Sequence, residues 1–146
     1  KLGFISASAG VDESNVAGRD NVLLLPKNPD VSAKKIMNFF KKKYNTDIGL
    51  VITDTFGRPW RVGQVNVAIG VSGIPVTKSE KGTEDSFGNF MKVTEPAFCD
   101  EIAAASGLVI KKSSKTPIVL FRGLEWVNAK SSIKDVLRNK KEDMFL

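Results

Sequence analysis

Groups suited to binding a metal and an anion gather within residues 48–71, which read I-G-L-V-I-T-D-T-F-G-R-P-W-R-V-G-Q-V-N-V-A-I-G-V. Asp54 and Thr55 offer hard oxygen ligands, and Arg58 and Arg61 offer planar donor forks matched to carboxylate or phosphate. A second set precedes it. Asp12, Ser14 and Asn15 place three short oxygen-bearing side chains close together in G-V-D-E-S-N-V, an arrangement that binds a cation or closes an Asx-type turn on its own backbone. The plainer reading of the central stretch is an Asp and two Arg paired on the surface, with Trp60 capping a core.

Other chemistries are closed off by composition. The chain has no histidine and a single cysteine, Cys99, so Ser-His-Asp and Cys-His nucleophiles, histidine metal sites, an intrachain disulfide and a one-chain thiolate zinc site are all excluded. Carboxylates, hydroxyls, lysines and Tyr44 remain for acid–base work, and no catalytic residue stands out among them. Oxygen ligands select Mg²⁺, Mn²⁺ or Ca²⁺ over zinc or copper. Cys99 reads as a small packed residue, since no basic neighbour is placed to lower its pKa.

The net charge of +6 and pI near 9.5 favour an anionic partner. The excess is spread over Lys34, Lys35, Lys41, Lys42 and Lys43 on one helix, Lys111, Lys112 and Lys115 in a loop, and Lys140 and Lys141 in the tail. That pattern reads as solvated faces, and nucleic-acid binding is not expected. No apolar run reaches the ~18 residues of a membrane span. The N-terminal K-L-G-F-I-S-A-S-A-G is too short and mixed for a signal peptide, which makes cytoplasmic residence the expectation.

The elements that must position these residues form one domain over 1–146, of α+β class: a mixed β-sheet of short strands with two or three packed helices. Strands are expected over residues 2–9 and 22–25, over 48–53 where the run stops at Asp54, over 65–71, over 90–93 and over 118–121 as a buried strand. Ser32 is the expected cap of a helix whose Ile36, Phe39, Phe40 and Tyr44 stripe faces the core, and Asn45 is its stop. Residues 77–89 read as a flexible loop. Thr94 and Pro96 open a second helix to about Ser106, with Phe98, Ile102 and Ala105 on one face, interrupted by Gly107; of Asp100 and Glu101 only one can face inward. Ile133, Val136 and Leu137 mark a short C-terminal helix.

An ordered set of motifs adds a resemblance. A-G-V-D-E-S-N-V, L-L-L-P-K-N-P-D-V-S-A, T-D-T-F-G-R-P-W-R-V-G-Q, V-A-I-G-V-S-G-I, G-T-E-D-S-F-G, C-D-E-I-A-A-A, L-F-R-G-L and K-E-D-M-F run nearly end to end, and together they resemble the coenzyme F420-0 gamma-glutamyl ligase family. The resemblance implies GTP-dependent amide ligation of L-glutamate to a deazaflavin coenzyme precursor through an acyl phosphate, assisted by Mg²⁺ or Mn²⁺, in a homodimer. It implies metal ligation by Asp12, Asp54 and Thr55 and nucleotide contact by Asn15, with Arg58 and Arg61 as inferred anion clamps. Lys112 falls where some members carry an acidic metal contact; a lysine there can instead pair a phosphate. Ser79 and Asn89 stand where an acid and an arginine are expected. The family's chains are longer, and this sequence is expected to match their C-terminal part, without an N-terminal half that supplies part of the nucleotide site. The competing reading is a non-catalytic module binding a phosphate ligand or cofactor.

Overall fold

Val11–Asp12 (β1) and Leu23–Leu24 (β2) pair antiparallel as a two-residue ladder, Val11 opposite Leu24. The computed structural model describes residues 3, 11, 12, 14, 16–18, 20–58 and 61–143; the strand expected over 2–9, Asn15 and Trp60 lie outside the described residues. Leu23 and Leu24 are exposed, so this ladder stands on the surface.

Helix α1 (Pro29–Tyr44) starts earlier than the sequence suggested, because Asn28 and Pro29 do the work assigned to Ser32. Asn28 Oδ1 accepts the Val31 N–H at 3.1 Å, and Pro29 occupies the first turn, where a missing N–H is harmless. Ser32 instead sits inside the turn, its hydroxyl donating back to Asn28 O. The helix ends as expected at Asn45, in the left-handed region at φ 47°.

The aromatic stripe of α1 does not face the core. Ala33 is its only buried residue among those described, while Phe39 and Tyr44 are 57% and 59% exposed. The cause is where the helix is pinned. Its first turn lies so close to β4 (Arg61–Ser72) that a Cβ on Gly70 would come within 2.6 Å of Pro29 backbone, and the far end projects away. The rings pack on one another there, Phe40 on Tyr44 at 6.0 Å, with the Lys43 ammonium over Phe39 and Tyr44.

β3 (Leu50–Arg58) and β4 form the second sheet, an antiparallel hairpin. β3 runs through Asp54 and Thr55 instead of stopping there: Thr55 and Asn66 are paired opposite one another, and the ladder continues to Arg58 and Arg61. Both sheets are two-stranded and antiparallel, and with the helices packed on them they make the expected α+β arrangement of short strands. The register shifts after Ile52, which pairs with Gly70 while Thr53 pairs with Ala68, leaving Ile69 as an extra residue in β4. Such a bulge bends a strand and releases backbone groups from the ladder.

Helix α2 (Phe98–Val109) packs across β4. Ala68, Val71, Ile74, Val76, Phe98, Cys99 and Ala103 make the core, and small residues on both sides let helix and strand approach closely. Gly107 does not interrupt the helix; it lies within it, where a Cβ would meet the Asn66 side chain at 3.2 Å. Residues 77–96 are irregular but tied: Lys78 N–H to Pro96 O, Glu80 N–H to Thr94 O and Gly82 N–H to Met91 O run up the excursion like rungs. The strand expected over 90–93 reduces to one bridge between Glu84 and Phe90. The buried strand expected over 118–121 is not formed; Ile118 is 64% exposed, and among the described residues no strand pairs with it. The C-terminal helix is a single 3-10 turn, Ile133–Val136, closed by a capping box between Ser132 and Asp135.

Asp30 ties these layers together. Its Oδ1 accepts the Val71 N–H of β4 at 2.9 Å, and its Oδ2 accepts Ser132 Oγ at 2.8 Å and Ile133 N–H at 3.2 Å. Replacing it strands a partly buried strand N–H and the cap of the 3-10 turn. Asp30→Ala should lower stability by about 2–4 kcal/mol, read from the urea midpoint at unchanged m-value. A shift under about 0.5 kcal/mol would show that water replaces the carboxylate at no loss.

Candidate functional site

A cleft of about 460 Å³ opens between the β1–β2 ladder and the β3–β4 hairpin. Asp12 and Ser14 line it from one side, Asp54 and Thr55 from the other, and Lys112 and Gln64 complete its polar part. Leu23, Leu24, Ile52, Phe56 and Ile69 supply apolar lining. The two carboxylates singled out in the sequence, distant along the chain, therefore share one cleft. Ile69, the bulged residue of β4, lies in the same wall.

Each carboxylate is held through one oxygen by a neighbour in its own segment. Asp12 Oδ1 accepts the Ser14 N–H at 2.8 Å and the Ser14 hydroxyl at 2.6 Å, so the Asx-type turn forms. The Ser14 hydroxyl first, and its N–H second, hold the Asp12 carboxyl below the usual carboxylate range, with a smaller contribution from the Lys112 charge. Asp54 Oδ1 accepts the Thr55 N–H at 2.8 Å. Among the described residues no partner is recorded for the second oxygen of either acid. The Lys112 ammonium lies 3.5 Å from Ser14 Oγ, which places a cation beside Asp12.

Thr55 belongs to a chain of hydrogen bonds. Its hydroxyl donates to Asn66 Oδ1 at 2.9 Å, Asn66 Nδ2 faces Ser106 Oγ at 3.5 Å, and Ser106 Oγ donates to Ala103 O at 2.7 Å. A second link comes from Asp100, whose Oδ1 accepts the Ala68 N–H at 2.9 Å just beside the bulge. Asp100 is the inward-facing acid of its pair and Glu101 is exposed.

Arg58 and Arg61 are not brought to this cleft. They face each other near the hairpin tip; Arg58 donates to Val62 O at 3.3 Å, and Arg61 is exposed. Sequence reasoning missed Asn66, Ser106, Gly107 and Asp100. The signal was present in part: Asn66 is the polar member of an alternating V-N-V-A strand, and Ser106-Gly107 is a small pair within a helix, yet neither becomes meaningful before strand and helix are packed. Among the described residues no group of three or more Cys, Asp or Glu is placed to hold a metal, and no helix is long and apolar enough to cross a membrane.

Comparison with known proteins points one way. The family model described as F420-0:Gamma-glutamyl ligase matches residues 1–123. The chain is 41% identical over 146 residues to the coenzyme F420:L-glutamate ligase of Methanocaldococcus jannaschii, covering 99% of this chain and 58% of that protein. It is 40% identical over 148 residues to the protein of the same name from Methanopyrus kandleri, again 58% of its length, and 39% identical to that of Methanococcus maripaludis. The chain thus spans less than two thirds of the curated relatives it matches.

Cys99 is fully buried under α2, and that burial, followed by the Asp100 charge, pushes its thiol up to about 12. Thiol reagents at pH 8 should therefore label it only at the rate of unfolding, and at once in denaturant. Because the folded pKa is raised, the stabilisation is full below the ordinary thiol value of 9.0 and is lost as the pH rises toward 12. The stability gap between wild type and Cys99→Ala should narrow over that window. Rapid labelling of the native protein would contradict this burial.

Proposed function

Because the chain belongs to the F420-0:gamma-glutamyl ligase family, we propose that it forms the portion of a GTP-dependent ligase that joins L-glutamate to a deazaflavin coenzyme precursor. The observation that carries the reading is the common cleft: Asp12 and Asp54 line it together with Thr55 and Lys112. In this reading the terminal phosphoryl group of GTP passes to the substrate carboxylate, releasing GDP. The amine of glutamate then attacks the acyl carbon, phosphate leaves with the C–O electrons, and an amide forms.

The donor set fits a divalent cation such as Mg²⁺ or Mn²⁺. Two carboxylates and one hydroxyl are all hard oxygen ligands, and the second oxygen of each acid carries no recorded bond among the described residues. Three protein ligands suit one ion whose shell is completed by water or phosphate oxygens. When bound, the ion would neutralise phosphate charge as the phosphoryl group moves. Lys112 would pair a phosphate oxygen directly, as a point charge, in place of a further acid. The Ser14 hydrogen bonds keep Asp12 ionised, so its oxygen is available to a cation well below neutral pH. Apolar lining by Leu23, Leu24 and Phe56 offers a face for the deazaflavin ring. A second subunit is proposed to complete the site.

The reading is tested by incorporation of L-glutamate into the deazaflavin precursor with GTP and Mg²⁺ or Mn²⁺, by the chain alone and with the remaining segment of a relative added in trans. Glutamate addition is expected, and Asp54→Asn should lower kcat/KM by about 100-fold or more. No turnover in either arrangement would overturn the proposal. Binding of nucleotide or deazaflavin by calorimetry without product would turn it toward a binding module.

A further inference from the structure

A hydroxyl has one proton, and each hydroxyl proton of the Thr55–Asn66–Ser106 chain has one acceptor within hydrogen-bond distance. Ser106 is buried, and its Oγ lies 2.7 Å from Ala103 O, which can only accept; the serine proton is therefore committed to that carbonyl. With its proton taken, Ser106 Oγ can only accept from Asn66, so the amide must turn Nδ2 toward helix α2. That leaves Oδ1 toward β3, where it can only accept, and so the Thr55 proton is committed to Asn66 at 2.9 Å. What Thr55 Oγ1 retains is lone pairs. The chain begins at a helix carbonyl and ends at a cleft-lining residue, and its direction is set throughout.

Packing fixes the middle link. Thr55 and Asn66 are directly opposed across the hairpin, and Gly107 of α2 lies against the amide, where a Cβ would stand 3.2 Å from Nδ2 and 3.3 Å from Cγ. Any larger residue there would push the amide. Asp100 holds the same stretch of β4 from about two turns earlier in α2, through the Ala68 N–H.

We propose that Asn66 is a positioning residue that makes Thr55 an obligate acceptor in the cleft, oriented by Ser106 and by the absence of a side chain at Gly107; the inference rests on the reading of Thr55 as a cation ligand. A hydroxyl free to rotate would present its proton to the ion part of the time, and a hydroxyl whose proton is engaged presents oxygen always. Groups that orient a metal ligand typically govern affinity by about 10–100-fold.

The test is Mn²⁺ binding to the intact chain, followed by electron paramagnetic resonance of free Mn²⁺ and by calorimetry, so that it does not depend on turnover. Asn66→Ala and Thr55→Ala should each weaken binding by about 10-fold or more, and Asn66→Ala should add less than about 2-fold in the Thr55→Ala background. Gly107→Ala, which deletes nothing, should weaken binding in the wild type and have no effect once Thr55 is alanine; it serves as the second variant if Asn66→Ala fails to fold. Equal losses in both backgrounds, or none, would overturn the role of Asn66 while leaving the metal reading intact. Wild type that binds no Mn²⁺, or binds it as well after Asp54→Asn, would overturn both.

Discussion

Among the described residues strand β4 has a partner on one side only, and its outward N–H groups need acceptors that no third strand there provides. Two carboxylates from the helices take that place: Asp30, from the first turn of α1, accepts Val71 N–H, and Asp100, from the first turn of α2, accepts Ala68 N–H. An unpaired strand edge both leaves polar groups unsatisfied and invites association with other chains. Here the same two bonds that quiet the edge also set where each helix begins on the sheet. The helices cannot slide along β4 without removing the acceptor of a partly buried N–H, and the contacts of Gly70 with Pro29 and of Gly107 with Asn66 fix the distance of approach. The geometry of the cleft follows from this arrangement, because the bulge at Ile69 lies between the two anchored positions.

Much of the polar lining of the cleft was legible in the sequence, and the reason is that it is local. Asp12, Asp54 and Thr55 stand out by residue type, and the cap at Asn45 by its place after a periodic run. The aromatic periodicity of α1 was equally clear and led to the wrong face. Periodicity reports that a helix has an apolar side, and says nothing of how far along its length that side is covered; pinning at Pro29 leaves Phe39 and Tyr44 beyond the core. The end of β3 failed for a related reason. Asp54 looked like a stop because acids are poor strand residues, whereas cross-strand pairing through Asn66 carries the ladder past it.

The arginines at the hairpin tip show how little closeness in sequence fixes position relative to the cleft. A guanidinium pair near an acid is chemically suited to phosphate, and the sequence distance from Asp54 to Arg58 is small. In an extended strand, though, each residue adds about 3.3 Å, so four positions carry the side chain well away from the acid. Lys112, remote in sequence, stands nearer to Asp12 than either arginine's place in the ladder would suggest, reaching Ser14 across the cleft.

The link between Asp30 and Ser132 closes a loop of 102 positions, and Asp30 to Ile133 one of 103. Loop-closure entropy rises with such a span, so these bonds form only after the hairpin and α1 have already aligned the carboxylate. By that ordering the C-terminal 3-10 turn is expected to dock after the hairpin and α1. A chain emerging from synthesis would hold its strand edge quiet through Asp30 and Asp100 before that final clasp shuts, so the interval in which neighbouring chains could pair with it is short.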